Sequence, residues 1–288
     1  MSVTAVLLVL GAAVAHAAWN VIAHGASRAG LPFLWCGSVV STVLWLPIVP
    51  LTGGFGTDDI PGFLLGITVS AVMHVGYMMV LQRGYALGNL SAVYAVARGT
   101  GPLLTVIVAI TFLGERPSPL ALIGVAAIIA GVVAIGFVDR PPAGERRRGI
   151  DPAILFGMLT GVAIAAYTVW DASSLRLWNI SPVAFMVGCT LLEVPIFTAL
   201  LGRRLRAVVP LAKLEWRRLL VFGILSPLSY ILVLAAITIA PVALVAPMRE
   251  VSVVLVSLFG AFVLHEGRPA ARLAASGIVV AGIVFLAV

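Results

Sequence analysis

Long apolar runs recur along the whole chain, and each is long enough to cross a lipid bilayer as a helix. Because the hydrocarbon core is about 30 Å thick, one crossing takes about 20 helical residues. Ten such runs lie at approximately 3–23, 31–51, 61–81, 86–113, 119–138, 152–174, 181–201, 218–239, 242–264 and 270–288. The strands of a membrane β-barrel have only about 10 residues and alternate apolar with polar side chains. The sequence therefore predicts an all-α membrane protein with ten transmembrane helices.

The composition leaves few polar side chains to face water. Apolar residues make up 61% and charged residues 10% of the 288 residues, whereas soluble domains average about 25% charged residues. These values exclude a soluble enzyme and a nucleic-acid-binding module. The net charge of +7 arises from basic residues in short segments between the apolar runs, as is typical of membrane proteins. The expected partners are the lipid bilayer and a small solute, and no nucleic acid.

Basic residues lie mainly in the odd-numbered loops between the predicted helices. The odd loops and their flanks carry fourteen of them, whereas the even loops carry two. Because cytoplasmic loops are enriched in Lys and Arg, the odd loops are predicted to be cytoplasmic and both termini to lie outside. The predicted location is the inner (plasma) membrane of a bacterium. The first run is expected to be a retained helix rather than a cleaved signal peptide, because no basic residue precedes it.

The two halves of the chain align with each other when one is shifted by 151 residues. The shift superposes residue types that are scarce in this chain, namely Trp19 on Trp170, Arg98 on Arg249 and Glu115 on Glu266. Residues 1–138 and 152–288 are therefore predicted to be two five-helix repeats, joined by an Arg-rich cytoplasmic linker at 139–151. An odd number of helices inverts one repeat relative to the other. Transporters of this design bind their substrate near the membrane midplane, between the repeats.

Three short motifs accompany this repeat. The first run contains His16-Ala17-Ala18-Trp19-Asn20, and the fourth and ninth runs end in Gly-Glu-Arg and His-Glu-Gly. In these features the whole chain resembles the drug/metabolite transporter superfamily, EamA-type, and is most similar to its YddG-like amino-acid exporters. The resemblance implies secondary transport of small metabolites by alternating access, with no cofactor.

Polar and aromatic residues inside the predicted helices are the candidate substrate-binding residues. Polar groups at membrane depth are costly unless they face the bundle interior or a cavity. The candidates are Trp19, Asn20, His74, Tyr77, Met78, Tyr94, Arg98, Tyr167, Trp170, Asp171, Tyr230 and Arg249. Residues three and four apart share one face of a helix. The first and sixth helices thus each present an aromatic, hydrogen-bonding face, and the two faces can meet in one cavity.

The two arginines have alternative interpretations. Either can bind a substrate carboxylate, for which Arg98 is the preferred partner, or form an ion pair between helices. For Arg249 the ion pair is favoured, with Glu250 or Glu193 as its partner. Glycines and a proline follow Arg98 and predict a broken helix at that point, which is tolerated at membrane depth where a helix lines a cavity.

The other candidates also have structural alternatives. Trp19 and Trp170 can belong to the aromatic belt at the membrane surface, and Asn20 and Asp171 can be contacts between packed helices. His74 can be a packing residue or a proton carrier, and pairing with Asp171 or Glu193 would favour the carrier. The repeated glutamates at 115 and 266 are expected to end helices and dock neighbouring ones.

The leading interpretation is a secondary transporter that exports small metabolites, with amino acids, including aromatic ones, as favoured substrates. An alternative is efflux of cationic drugs, which would need Asp171, Glu193 or Glu250 in the cavity. An intramembrane enzyme is less favoured, because no GxSxG, HExxH or CxxC motif occurs. The sequence therefore predicts no catalytic residues, no metal site and no cofactor. It leaves the oligomeric state open, with a monomer as the simplest case.

Overall fold

The computed structural model describes residues 1–23, 29–87, 90–138, 152–263 and 269–287, and within these ranges the chain is helical without strands. The α-helices are α1 (Val3–Ala23), α2 (Leu31–Trp45), α3 (Ile60–Leu87), α4 (Leu90–Thr111), α5 (Pro119–Val138), α6 (Pro152–Trp178), α7 (Pro182–Leu201), α8 (Val208–Ile239), α9 (Val242–Arg249), α10 (Val251–Phe262) and α11 (Pro269–Ala287). Short 3-10 helices span Leu46–Ile48, Pro50–Thr52 and Gly202–Ala207. The predicted all-α class is confirmed, whereas the linker 139–151 lies outside the described residues.

Most of these helices can cross a membrane by length and composition. Eight segments of the described chain meet both conditions, and one of them, Pro182–Ile239, contains both α7 and α8. The segment Ala270–Leu286 in α11 is a shorter apolar helix. Many large apolar side chains remain exposed on the outer faces of the bundle, including Leu7 and Val72. Lipid is the solvent in which such a surface is stable.

The fourth predicted helix is continuous where a break was expected. Helix α4 runs through Pro102 without interruption. A Cβ atom on Gly101 would lie 2.9 Å from the side chain of Ile164 in α6, so this glycine allows α4 and α6 to approach closely. The prediction of a broken helix beside Arg98 is therefore wrong. The break falls in the ninth predicted helix, which Glu250 divides into α9 and α10.

Helix α8 begins about ten residues before the predicted start at 218. Its first part, Val208 to Leu214, is separated from the rest by a kink at Glu215, whose φ of −109° and ψ of 18° are not helical. Val208 packs with Phe33 and Cys36 of α2. The hydropathy pattern missed this part because Pro210 and Lys213 interrupt its apolar residues and further basic residues flank it.

Long helices pack in pairs around the bundle. Helix α4 lies along α6, α1 along α8, α3 along α6, and α2 against both α7 and α8. Helices α5 and α11 also form an extended contact, and here their backbones meet. A Cβ atom on Gly124 would lie 2.7 Å from the carbonyl oxygen of Gly282, and one on Gly282 would lie 2.6 Å from that of Gly124. Only glycine permits this approach.

A half-buried glutamate, Glu115, connects the ends of four helices on one face of the bundle. The carboxylate of Glu115 accepts hydrogen bonds from the first two N–H groups of α9, at 2.8 and 2.9 Å, and from Arg176 at 3.0 Å. Arg176 also donates to the carbonyls of Ile237 and Ala240 at 2.9 Å. An anion at a helix N-terminus and a cation at a C-terminus both stabilise the helix dipoles. Glu115 has the docking role expected for it, whereas its repeat partner Glu266 lies outside the described residues.

Candidate functional site

Two buried arginines share one buried carboxylate at the break between α9 and α10. Glu250 is fully buried, and its Oε2 and Oε1 accept hydrogen bonds from Arg98 Nη1 at 3.1 and 3.3 Å. Arg249 Nε lies 3.6 Å from Glu250 Oε1, which is too long for a hydrogen bond. These three side chains, the Arg–Glu–Arg cluster, carry two formal positive charges and one negative charge. The cluster is therefore suited to receive one further anionic group.

The two arginines differ in how fully they are engaged. Arg98 uses its other terminal nitrogen, Nη2, at 3.0 Å from His16 Nε2, and its guanidinium lies 5.1 Å from the centre of the Tyr94 ring. Because arginine only donates hydrogen bonds, His16 Nε2 is the acceptor. The buried Nε of Arg249, in contrast, has no hydrogen-bond partner within the described residues. The ion pair with Glu250 that the sequence favoured for Arg249 is confirmed, but within the described residues Arg249 makes fewer hydrogen bonds than Arg98.

A second buried acid lies on α6, where this helix contacts α3 and α8. Asp171 of α6 is fully buried, and its Oδ2 accepts a hydrogen bond from the Tyr230 hydroxyl at 2.5 Å. The same Oδ2 is 4.0 Å from His74 Nε2, so His74 lies next to one of the two acids that the sequence offered as its partner. The other oxygen, Oδ1, has no hydrogen-bond partner in the described part of the chain. An unpaired buried acceptor is costly, so this oxygen is suited to a donor from a bound molecule.

Tyrosine rings lie beside His74, the neighbour of Asp171. The ring of Tyr167 lies with its centre 4.2 Å from that of His74, 5.6 Å from that of Tyr77 and 6.0 Å from that of Tyr230. Helix α6 carries Tyr167 and Asp171, and it contacts both α4 and α9, which carry the two arginines of the cluster. The structure thus brings an aromatic cluster, a carboxylate and a cationic group onto helices that contact one another.

Among the candidates from the sequence, Trp170 packs away from this aromatic cluster. The indole N–H of Trp170 donates to the carbonyl of Gly66 at 3.0 Å, and its ring packs near that of Trp178. Trp170 therefore holds α6 against α3. Met78 is half-buried on α3, one helical turn after His74.

The first helix contributes through His16 rather than through the other residues of its motif. Trp19 packs edge-on against His16 and Phe222, with ring centres 5.0 and 5.2 Å apart. The side-chain amide of Asn20 donates to the carbonyl of His16 at 2.7 Å, within its own helix. Trp19 thus reaches the Arg–Glu–Arg cluster only through His16, and Asn20 does not reach it.

The candidate residues drawn from the sequence did not include His16, and they included Glu250 only as a partner of Arg249 or of a cation, not as the partner of Arg98. Both carried a signal in the sequence, since His16 aligns with Tyr167 under the 151-residue shift and Glu250 follows Arg249. Glu193, the other acid considered, accepts a hydrogen bond from Ser38 at 2.7 Å. Among the described residues, no three His, Cys, Asp or Glu side chains are grouped so as to hold a metal ion.

Known proteins resemble this chain in both sequence and fold. The model of the EamA-like transporter family matches residues 3–137 and 151–288. A probable terminal-alkyne amino-acid exporter of Streptantibioticus cattleyicolor is 35% identical over 125 residues, which are 41% of this chain and 38% of that protein. The similarity thus spans well under half of the curated relative. One protein crystal structure, 20% identical, superposes with a TM-score of 0.77 over 99% of this chain and 96% of its own, and it shows a shared fold.

Proposed function

Since this chain belongs to the EamA-like transporter family, and is therefore an integral membrane protein, we propose that it exports amino acids, including aromatic ones, as a secondary transporter. The observation that carries the proposal is that the Arg–Glu–Arg cluster and the buried Asp171 lie on helices that contact one another, α4 and α9 on the one hand and α6 on the other. A zwitterionic amino acid presents a carboxylate to Arg249 and an ammonium group to the unpaired Oδ1 of Asp171. An aromatic side chain can pack against the tyrosine rings. The amino-acid exporter of S. cattleyicolor is consistent with this substrate class.

We further propose that the helices form two inverted repeats of five, 1–138 and 152–288, with α9 and α10 together making one crossing. The helix contacts support this arrangement, because they correspond when the two sets are exchanged. The α1–α8 contact corresponds to α6–α3, α2–α8 to α7–α3, and α4–α6 to the contact of α9 and α10 with α1. The two separate matches to the family model give further support. Two such repeats provide the two arrangements that alternating access requires.

Export of cationic drugs fits this site less well. A cation needs an acid that is not already neutralised, whereas Glu250 is shared by two arginines. Asp171 could attract a cation, but the Arg–Glu–Arg cluster, on helices that contact α6, would repel it. A zwitterion can pair its anionic group with the Arg–Glu–Arg cluster and its cationic group with Asp171.

Transport by the purified protein in proteoliposomes tests the substrate class. We expect protein-dependent flux of phenylalanine to exceed that of phenethylamine, which lacks the carboxylate, and of phenylacetate, which lacks the ammonium group. Leaving a buried charged partner unpaired costs about 2 kcal/mol or more, so each ratio should reach about 30-fold. Tetraphenylphosphonium serves as the drug-like cation. Flux of this cation without amino-acid flux would support drug efflux instead, and folded protein without flux of any amino acid would contradict the proposal.

We propose that the odd-numbered loops face the cytoplasm of a bacterial cell and that both termini face outward, as the basic residues indicate. Single cysteines can test this, because the native Cys36 and Cys189 are 3% and 1% exposed and should label poorly. In whole cells, a membrane-impermeant maleimide is expected to label Asp58→Cys, in the α2–α3 loop, but not Arg206→Cys, in the α7–α8 loop. Permeabilised cells should label both. Labelling of position 206 alone in whole cells would reverse the orientation.

A further inference from the structure

An open groove runs between α2 and the first part of α8, and no residue of the Arg–Glu–Arg cluster lines it. Its volume is about 660 Å³, within the range of pockets that hold small-molecule ligands. Its walls are almost entirely apolar, and Lys213 is the one charged residue among those that line it. Other lining residues include Trp35, Val39, Val209, Ala212 and Trp216.

Positive charge is concentrated around this groove. Residues 203–218 contain six basic side chains and a single acidic one, Glu215, which is already paired with Arg218 at 3.0 Å. Arg217 lies over the ring of Trp216, 5.3 Å from its centre. Lys213 and Arg217 are both exposed. The groove therefore has an apolar interior beneath a cationic rim that this segment does not neutralise.

The kink at Glu215 gives the segment the form of an interfacial helix. It separates Val208–Leu214 from the long part of α8, and Val208 holds this short part against α2. Val209 and Leu214 nevertheless remain 61% and 77% exposed. Exposed apolar side chains interspersed with Lys and Arg are typical of a segment at the boundary of the acyl chains and the headgroups.

We propose that this groove binds one anionic phospholipid from the surrounding leaflet. One acyl chain lies between α2 and α8 against Val39 and Ala212, and the phosphate lies on Lys213 and Arg217. Charge complementarity selects an anionic headgroup, since basic residues near a membrane surface attract anionic lipids. The apolar lining selects an acyl chain, which a free phosphate ion lacks.

Native mass spectrometry of the delipidated full-length protein tests this site. The probes are dioleoyl-phosphatidylglycerol, which is anionic, and dioleoyl-phosphatidylcholine, which has the same acyl chains and no net charge. We expect one phosphatidylglycerol to bind more tightly than any phosphatidylcholine. Because each basic residue contributes about fivefold to such binding, the double variant Lys213→Ala/Arg217→Ala should weaken phosphatidylglycerol binding about 25-fold.

Three further variants distinguish lipid binding in the groove from general electrostatic attraction of the lipid to the protein. Arg83→Ala removes an exposed basic residue of α3 outside the groove and is expected to change the affinity less than twofold. Val209→Trp and Val39→Trp fill the groove from its two walls, and each should abolish the tight binding without removing a charge. Circular dichroism and monodisperse elution select the variants that are folded.

Other results would overturn the proposal. An equal loss in Arg83→Ala and in the double variant would mean that charge alone attracts the lipid. Equal affinity for the two lipids would show that the cationic rim does not select an anionic headgroup. Tight binding that survives in both tryptophan variants would place the lipid outside the groove.

Discussion

Replacing Glu250 by glutamine is expected to lower the free energy of unfolding by about 3 kcal/mol or more, because it leaves buried cations without a counter-charge. Glu250 is fully buried and is the carboxylate that both Arg98 and Arg249 approach. Glutamine has nearly the same shape and retains one acceptor oxygen. The loss therefore measures the charge rather than a cavity. Reversible unfolding in mixed micelles gives the free energy directly.

Glu215→Gln is the matched control for this measurement. Glu215 also pairs with an arginine at 3.0 Å, but the side chain of its partner Arg218 is 47% exposed. An exposed ion pair of this kind contributes about 1 kcal/mol or less. Adding Arg98→Met to Glu250→Gln should recover part of the lost stability, since it removes one of the unpaired cations. Equal losses for the Glu250 and Glu215 variants would show that the arginines do not depend on the buried carboxylate.

Replacing Arg249 by methionine is expected to reduce phenylalanine flux by at least about 30-fold, because the substrate carboxylate loses a buried charged partner. The fold should persist, since Glu250 keeps its hydrogen bonds to Arg98 at 3.1 and 3.3 Å. Arg249→Lys should transport at an intermediate rate, because an ammonium group keeps the charge but not the paired donors of a guanidinium. Initial rates in proteoliposomes, normalised to folded protein, provide the measurement.

The substrate itself supplies the control for this variant. Phenethylamine has no carboxylate, so its flux should hardly change in Arg249→Met, and the preference for phenylalanine should disappear. Asp171→Asn should instead remove the preference for phenylalanine over phenylacetate, because it alters the partner of the ammonium group. An equal loss for phenylalanine and phenethylamine in Arg249→Met would assign Arg249 a structural role. A selective loss in Arg98→Met alone would return the carboxylate to Arg98.

Hydropathy was enough to predict the helical class and the approximate bounds of most helices, because each membrane-crossing helix must satisfy its backbone internally with about 20 apolar residues. It was not enough to predict where a helix is interrupted. Pro102 lies inside a continuous α4, whereas the break comes at Glu250. A glycine beside a proline can serve close packing, as Gly101 does against Ile164. Whether a glycine and a proline break a helix or allow close packing therefore depends on the neighbouring helix.

The sequence offered two of the observed pairs, Arg249 with Glu250 and His74 with Asp171, but not the partner of Arg98. Arg98 and Glu250 are 152 positions apart and form an ion pair, which depends on how α4 packs against α9. The 151-residue shift also aligns Trp19 with Trp170, but the contacts of these two residues differ. One packs against aromatic rings, and the other donates to a backbone carbonyl. Positions that align in a predicted repeat need not make the same contacts, because the contacts depend on neighbours that differ between the two halves of the chain.

The backbone contact between α5 and α11 limits how the protein can rearrange. Gly124 and Gly282 lie against each other's carbonyl oxygens, so sliding either helix along the other by one residue would bring a Cβ atom into that space. A contact that cannot slide can still act as a pivot. While this contact is kept, the parts of the chain that carry α5 and α11 can rotate relative to each other only about an axis through the contact. The helices far from that axis then move the greatest distance.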